Sequence, residues 1–351
     1  MKKLLFIIPN FNSGGAEKVT INIINLLAEK YSVNLAVFES KGLYSGLVNS
    51  KVNIITLETK RLRSSIHKII FLIFKKKPDV VFSSLLHINI FLLIIKCTIF
   101  YKLKLVLRES NMPVENVKRN RFLKYIYIYL YKYTNYLIAS SNTMRLQFIK
   151  NFKINETKVI FIPNPIIFKN NLNDELSYNF FRHDKINLLS VGRFTKQKNY
   201  QFMIDAFAKS LNDQLILNIF GEGNDKSLIF NKIYNNKLSE KIFLRGVTKN
   251  ICNIYDKSDI LIMCSKWEGM SNVILEALFR GLKVIVSKQS GGAQDLKEFF
   301  NDKLYFYNDK KDLIKFLNNL NLQAVKKENK KIYIPKEYSL ENIFNLYSQI
   351  I

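Results

Sequence analysis

Residues Ile260–Ser287 read ILIMCSKWEGMSNVILEALFRGLKVIVS. An apolar run, Ile260–Cys264, is short enough to be a buried strand. A polar turn follows, and Ser271 or Asn272 is a good N-cap for a helix running to Arg280. Gly281 closes that helix, and a second apolar run, Val284–Ser287, starts at once. Strand, helix, strand with no hairpin turn between them predicts two parallel strands joined by a crossover helix.

The same alternation runs outward in both directions. Strands are expected at Ile186–Val191, Leu215–Phe220, Ile242–Leu244 and Leu304–Tyr307, with helices at Tyr200–Leu211 and Ala293–Phe299. Upstream lies an earlier set of strands: Leu4–Pro9, Val33–Phe38, Asn53–Leu57, Asp79–Ser83, Lys104–Leu107, Tyr136–Ala139 and Val159–Ile162. Ser13 is placed to cap the first helix, Glu17–Lys30. Tyr125, Tyr127, Tyr129, Tyr131 and Tyr133 alternate at period two like a strand, but their slot between two strands calls for a helix, apolar or aromatic nearly all round. Pro163-Asn164-Pro165 enforces extended chain, and the polar stretch after it interrupts the pattern. The chain of 351 residues thus divides into a first α/β domain (1–168), a linker (169–185) and a second α/β domain (186–335). A final amphipathic helix (336–351) is expected to pack back on the first. The fold class is α/β: two doubly wound parallel-sheet domains, each Rossmann-like, facing a cleft. Ligands in such sheets bind at the carboxyl ends of the strands.

Those ends carry the candidate chemistry. In the quoted stretch, Gly269, Met270, Ser271 and Asn272 form the turn into the helix, whose first N–H groups can hold phosphate oxygens. Glu268 precedes the helix and Glu276 lies about one turn inside it, so two carboxylates bracket that turn. Arg193 and Lys198 follow another strand, where cations can grip a diphosphate. Asn12-Ser13-Gly14-Gly15-Ala16-Glu17 opens the first helix of the chain, and its paired glycines let backbone approach a ligand. Singly, each feature has a plainer reading: a tight turn, a solvated cation, a glutamate favouring a helix dipole. The loops are neither GxGxxG nor a Walker A sequence.

The set in order resembles one family. Glu268 and Glu276, seven residues apart, match the EX7E motif of retaining glycosyltransferases of the GT-B fold, and more narrowly of their family 4 (group 1). Asn12–Glu17, Pro163-Asn164-Pro165, Gly192-Arg193 with Lys198, Gly221-Glu222-Gly223 and Ser290-Gly291-Gly292 match as well. The resemblance covers nearly the whole chain. Ser271 stands where many members have proline. The resemblance implies a nucleotide-sugar donor, with a UDP-linked hexose or N-acetylhexosamine expected. Arg193 and Lys198 would neutralise its diphosphate, Glu276 would bind the ribose, and Glu268 would contact sugar hydroxyls. Backbone at Gly269–Asn272 would hold phosphate, and Gly14-Gly15 would face donor and acceptor. His87, after the strand at Asp79–Ser83, is a candidate for touching the donor sugar, though a lone His beside an apolar stretch is as often simply packed. Glu17 and Glu109 are expected on the acceptor side. No metal and no cofactor is expected, because Arg and Lys supply the charge a divalent ion would bring.

The chain carries 54 Lys+Arg against 28 Asp+Glu, a net +26. Residues 51–150 hold 19 of those bases and 4 of those acids, so over half the excess sits in under a third of the chain. Basic residues among tyrosines and isoleucines suit an anionic membrane surface; a solvated basic face is the competing reading. Ile88–Leu107 is apolar, but Lys96, Lys102 and Lys104 argue against its spanning a bilayer. The short apolar run at the N-terminus lacks a cleavage site and reads as a strand. Three separated cysteines suggest neither a zinc site nor a disulfide framework. The expectation is a cytoplasmic enzyme, peripheral on the inner face of the membrane. Its acceptor would be a polyprenyl-diphosphate-linked or other lipid-linked glycan in polysaccharide or lipopolysaccharide synthesis.

Rival readings are a sugar-nucleotide epimerase or phosphorylase of the same fold, an inactive transferase-like subunit, and a nucleic-acid-binding protein. No helix-turn-helix, zinc-finger or RNA-sheet signature supports the last, so no nucleic acid is expected.

Overall fold

The central strands in this chain read as continuous apolar runs because helices cover both faces of each sheet, leaving those strands no face for water. The computed structural model describes all residues except 13, 60, 101, 169–179, 249 and 327–329. The cap expected from Ser13, and most of the linker expected at 169–185, lie outside the described residues.

Two units divide the chain, one formed by Met1–Ile167 with Pro335–Ile351 and the other by Phe168–Ile334. The first contains β1 (Lys3–Ile8), α1 (Gly15–Leu27), β2 (Ser32–Val37), β3 (Asn53–Thr56), α2 (Leu62–Lys76), β4 (Val80–Ser83) and α3 (Leu86–Thr98). It continues with β5 (Leu105–Glu109), α4 (Pro113–Arg119), α5 (Leu123–Tyr129), β6 (Tyr136–Ala139), α6 (Asn142–Phe152) and β7 (Val159–Phe161). The second contains β8 (Ile186–Val191), α7 (Tyr200–Ala208), β9 (Leu215–Phe220), α8 (Lys226–Asn235), β10 (Ile242–Gly246), α9 (Ile251–Lys257) and β11 (Ile260–Met263). After these come α10 (Asn272–Phe279), β12 (Lys283–Ser287), β13 (Leu304–Tyr307), α11 (Lys310–Asn318) and α12 (Leu322–Lys326). The last helix, α13 (Leu340–Ile350), returns to the first unit.

Every strand pair is parallel. The first sheet runs β3-β2-β1-β4-β5-β6-β7 and the second β10-β9-β8-β11-β12-β13. Each order reverses direction once, between β1 and β4 and between β8 and β11. Connections on either side of a reversal leave toward opposite faces, so the loops after the two strands splay apart and open a crevice at the carboxyl edge. Both sheets therefore place their sites at one pair of strands.

Handedness also sorts the helices of the first unit. The crossovers through α2, α3, α5 and α6 all advance along the sheet in one direction and stack on one face, while α1 runs the other way and covers the opposite face. Side-chain parity agrees. Leu5 and Ile7 join the core built with α2, α3 and α6, whereas Leu4, Phe6 and Ile8 join the core built with α1 and α13. Ile343, Tyr347 and Ile350 of α13 are buried there, each contributing about 1.5–3 kcal/mol by leaving water. The Ser339 side chain accepts from Asn342 N–H at 3.2 Å and starts that helix.

Two expectations need correction, and the ambiguity of the tyrosine segment is resolved. The helix expected at Ala293–Phe299 is only a 3-10 turn, Gly291–Leu296. The tyrosine segment is helical, as its slot between two strands implies, and aromatic on both its buried and its exposed side. Tyr127 and Tyr131 are buried and packed edge-to-face, while Tyr125, Tyr129 and Tyr133 are exposed. And β5 extends beyond Leu107, which takes Arg108 and Glu109 into the sheet.

Candidate active site

At the reversal of the second sheet, the loop after β8 lies against the loops after β9 and β11. The β9 side explains its glycines. Gly192 N–H donates to Phe220 O and Phe194 N–H to Glu222 O, at 2.9 and 2.8 Å. A Cβ on Gly221 would lie 2.0 Å from Gly192 O, so only glycine allows this approach. On the β11 side, Lys266 N–H donates to Gln197 O at 2.9 Å, and Gln197 Nε2 donates to Trp267 O at 2.8 Å. This zipper brings Lys198 Nζ to 2.7 Å from Glu268 Oε1, with both side chains largely shielded (16% and 12% exposed). Arg193, on the same loop, is exposed, and no hydrogen bond or ion pair to a described residue holds it. Gly269, Met270 and Ser271 are buried as the chain turns into α10, with Ser271 at the N-cap position. Asn272 is the first helical residue. Two cations and a helix start thus share one strand edge, an arrangement suited to a diphosphate.

Glu276 sits inside α10 and is 5% exposed, accepting a hydrogen bond from Tyr255 Oη of α9 at 2.9 Å. The spacing from Glu268 does not disclose that partner, because Tyr255 comes from the preceding crossover.

In the first unit, Gly14 and Gly15 stand at the start of α1 after β1, His87 stands at the start of α3 after β4, and a bond from Thr20 Oγ1 to Ser84 Oγ (2.9 Å) ties α1 to the end of β4. Gly14 is the N-cap of α1. The Glu17 carboxylate folds back over it, so that a Cβ on Gly14 would be 1.8 Å from Oε2. Glu17 stands three residues after the cap, where a capping-box glutamate reaches back. Gly15 differs: a Cβ there meets nothing within 4 Å. Gly15→Ala is expected to leave thermal stability unchanged or slightly raised, since alanine is the better helix former by up to about 1 kcal/mol. If a ligand must approach this backbone, the same variant loses activity; calorimetry and turnover together check it. His87 is exposed in the first turn of α3.

Glu109, expected on the acceptor side, is 1% exposed. Asn89 Nδ2 donates to its Oε1 at 2.9 Å, and Tyr131 Oη donates to the same oxygen. Burial pushes its pKa up to about 7, with these two bonds and Arg108 opposing the shift. Arg108 in turn donates to Asn164 Oδ1, and Asn22 Nδ2 donates to Pro165 O at 2.9 Å. The Pro163-Asn164-Pro165 segment is therefore pinned to the first unit by buried polar bonds. Sequence reading missed Asn89, Tyr131, Tyr255 and Gln197; each acts across strands or helices that only the fold brings together.

Two family models cover most of the chain. "Glycosyltransferase Family 4" matches residues 13–168, and "Glycosyl transferases group 1" matches residues 174–333. The chain belongs to the family 4, group 1 glycosyltransferases. Among relatives of this glycosyltransferase is the GalNAc-α-(1→4)-GalNAc-α-(1→3)-diNAcBac-PP-undecaprenol α-1,4-N-acetyl-D-galactosaminyltransferase of Campylobacter jejuni. It is 28% identical over 316 residues, which is 87% of this chain and 84% of the relative. The UDP-Gal:α-D-GlcNAc-diphosphoundecaprenol α-1,3-galactosyltransferase of Escherichia coli is 28% identical over 53% of this chain and 51% of its own. The structure of HepE from Anabaena, crystallised with UDP-glucose, superposes with a TM-score of 0.80 at 17% identity, covering 99% of both chains. That likeness shows the fold, which is GT-B.

Proposed function

We propose that this glycosyltransferase moves a hexose or N-acetylhexosamine from a UDP-linked donor to a polyprenyl-diphosphate-linked glycan, with retention at the anomeric carbon and without a metal ion. The observation that carries the proposal is the shielded Lys198–Glu268 pair beside the start of α10, at the reversal point of the second sheet. A donor diphosphate carries the charge to draw Lys198 and Arg193 onto its oxygens. As the glycosidic bond breaks, negative charge builds on the departing UDP, and the two cations stabilise it where it forms. Glu268 is then released to hold sugar hydroxyls, and Glu276, fixed by Tyr255, serves the ribose. His87, Gly14 and Gly15 are assigned to the sugar and acceptor side, with Glu17 setting the first turn of α1.

Support for the acceptor and for retention comes from relatives. Both enzymes named above act on undecaprenyl-diphosphate glycans and form α-linkages, and one takes UDP-Gal. UDP-hexoses such as UDP-Gal are α-configured, so an α-product is a retained one. The proposed setting is the cytoplasmic face of an anionic membrane. Among the described residues no helix is long and apolar enough to cross a membrane. The test is a panel of UDP-, GDP- and dTDP-sugars offered with an undecaprenyl-diphosphate glycan, with the anomeric proton of the product read by NMR. An α-linked product from one UDP-sugar supports the proposal, and a β-linked product refutes retention.

A further inference from the structure

The helix layer α2–α3–α5–α6 on the first sheet has an outer surface that is unlike a solvated one. On α2, Phe71 and Phe74 project outward; at the end of α3, Ile94 and Ile99 do so; and around α5, Phe122, Tyr125 and Tyr129 do so, with Tyr133 just after it. Each is 46–66% exposed. They form connected ridges rather than scattered singles. Phe122, Tyr125 and Tyr129 follow helical spacing, and their rings pack in series at 6.5 Å between centroids. Phe74 packs on Phe100, just beyond α3, at 4.5 Å. Contiguous apolar exposure of this kind marks an interaction surface.

Charge identifies the partner. Exposed Lys75 and Lys77 flank the α2 ridge, and exposed Arg121, Lys124 and Lys132 flank the α5 ridge. Lys75 Nζ lies 5.8 Å from the Phe71 ring centre and Lys132 Nζ 5.2 Å from that of Tyr133. The nearby acid Glu115 is paired with Lys118 at 2.5 Å. Aromatic rings with lysines and arginines at one level are what a lipid headgroup region accepts: rings at the polar–apolar boundary, cations on phosphates. An acidic protein surface would not need two aromatic ridges and an aliphatic pair on one layer. Single-stranded nucleic acid would stack on free ring faces, whereas Tyr125 and Tyr129 stack on each other, 3° from parallel.

We infer that this outer layer is the surface by which the enzyme docks on anionic lipid, with Phe122, Tyr125 and Tyr129 as its interfacial anchors and α2 as a second contact. The inference rests on the proposed lipid-linked acceptor only for its purpose; the surface chemistry stands without it. It assigns the orientation of the first unit, with the layer of α2, α3, α5 and α6 against the membrane and the α1 and α13 face away from it.

The test is co-sedimentation of the full chain with vesicles of neutral phosphatidylcholine, or of phosphatidylcholine with phosphatidylglycerol, at low and high salt. Wild-type protein is expected to bind the anionic vesicles at least tenfold more tightly than neutral ones, and less tightly in high salt. The triple variant Phe122→Ser, Tyr125→Ser, Tyr129→Ser is expected to lose at least tenfold in that binding. Phe230→Ser with Tyr234→Ser, an equally exposed aromatic pair on α8 of the second unit, should bind as wild type. Circular dichroism melting confirms that both variants are folded. Equal binding by wild type and triple variant overturns the inference, as does stronger binding of a single-stranded oligonucleotide than of anionic vesicles. UDP-sugar turnover is read in parallel. Turnover without vesicle binding sinks the docking surface alone, and vesicle binding without turnover of any nucleotide sugar sinks the proposed reaction alone.

Discussion

Lys198→Ala is expected to lower sugar transfer by roughly 10²–10³-fold, mainly in kcat. A cation aimed at a leaving diphosphate does most for the transition state, where charge on the departing oxygen is greatest, and loss of one such donor typically costs that much. The ground state loses less, because Arg193 remains on the same loop and the α10 start is untouched. Lys198→Arg should recover part of the rate by keeping the charge. The protein should still fold: the pair is largely but not wholly shielded, so stranding Glu268 costs about 1–2 kcal/mol rather than the several expected of a fully buried charge. Steady-state kinetics with the accepted UDP-sugar, alongside a melting curve, separate the two effects. An unchanged kcat in folded Lys198→Ala would remove this residue from the chemistry.

Glu109→Gln should change the pH dependence of stability on the order of 3 kcal/mol. The native carboxyl titrates near pH 7 because burial disfavours its charged form, against an ordinary value of 4.5 in the unfolded chain. Between these pH values the native state holds a proton that the unfolded chain has released. Stability from this group is therefore complete below about pH 4.5 and is lost as pH rises through 7. Glutamine has no such proton. Urea titrations from pH 4.5 to 8 should show the wild type losing stability relative to the variant across that window. Exposed carboxylates such as Asp213 and Asp312, which titrate low, cancel in the difference between the two proteins. A flat difference would mean that Glu109 is ionised throughout.

These two residues also mark how far the sequence could be read. Strands were legible because a sheet covered on both faces writes each as an unbroken apolar run, as at Ile260–Met263 and Val284–Ser287. Positions at strand ends followed from the alternation, which is why Arg193, Lys198 and Glu268 could be nominated together. Their pairing was not legible. It requires β8 and β11 to be neighbours although most of the second unit's crossovers separate them in the chain. The tyrosine segment was ambiguous for a related reason: a two-residue period suits a strand, and only the inward turn of Tyr127 and Tyr131 onto Phe148 shows the helix. Glu109 stands at a strand end in the sequence, but its burial and its bond from Tyr131 follow from the extra residues of β5 and are not legible there. The spacing also does not disclose that the Glu17 carboxylate covers Gly14 within its own helix turn.

The proposed reaction transfers a sugar from a nucleotide held at the Lys198–Glu268 edge to a lipid-linked acceptor. The most direct measurement is release of nucleotide from a panel of UDP-sugars, with and without lipid extract from the source cells, for wild type and for Lys198→Ala combined with Glu268→Gln. Release from one UDP-sugar is expected, dependent on the extract and absent in the double variant. Release that is independent of the extract, or undiminished in the double variant, would contradict the proposed reaction.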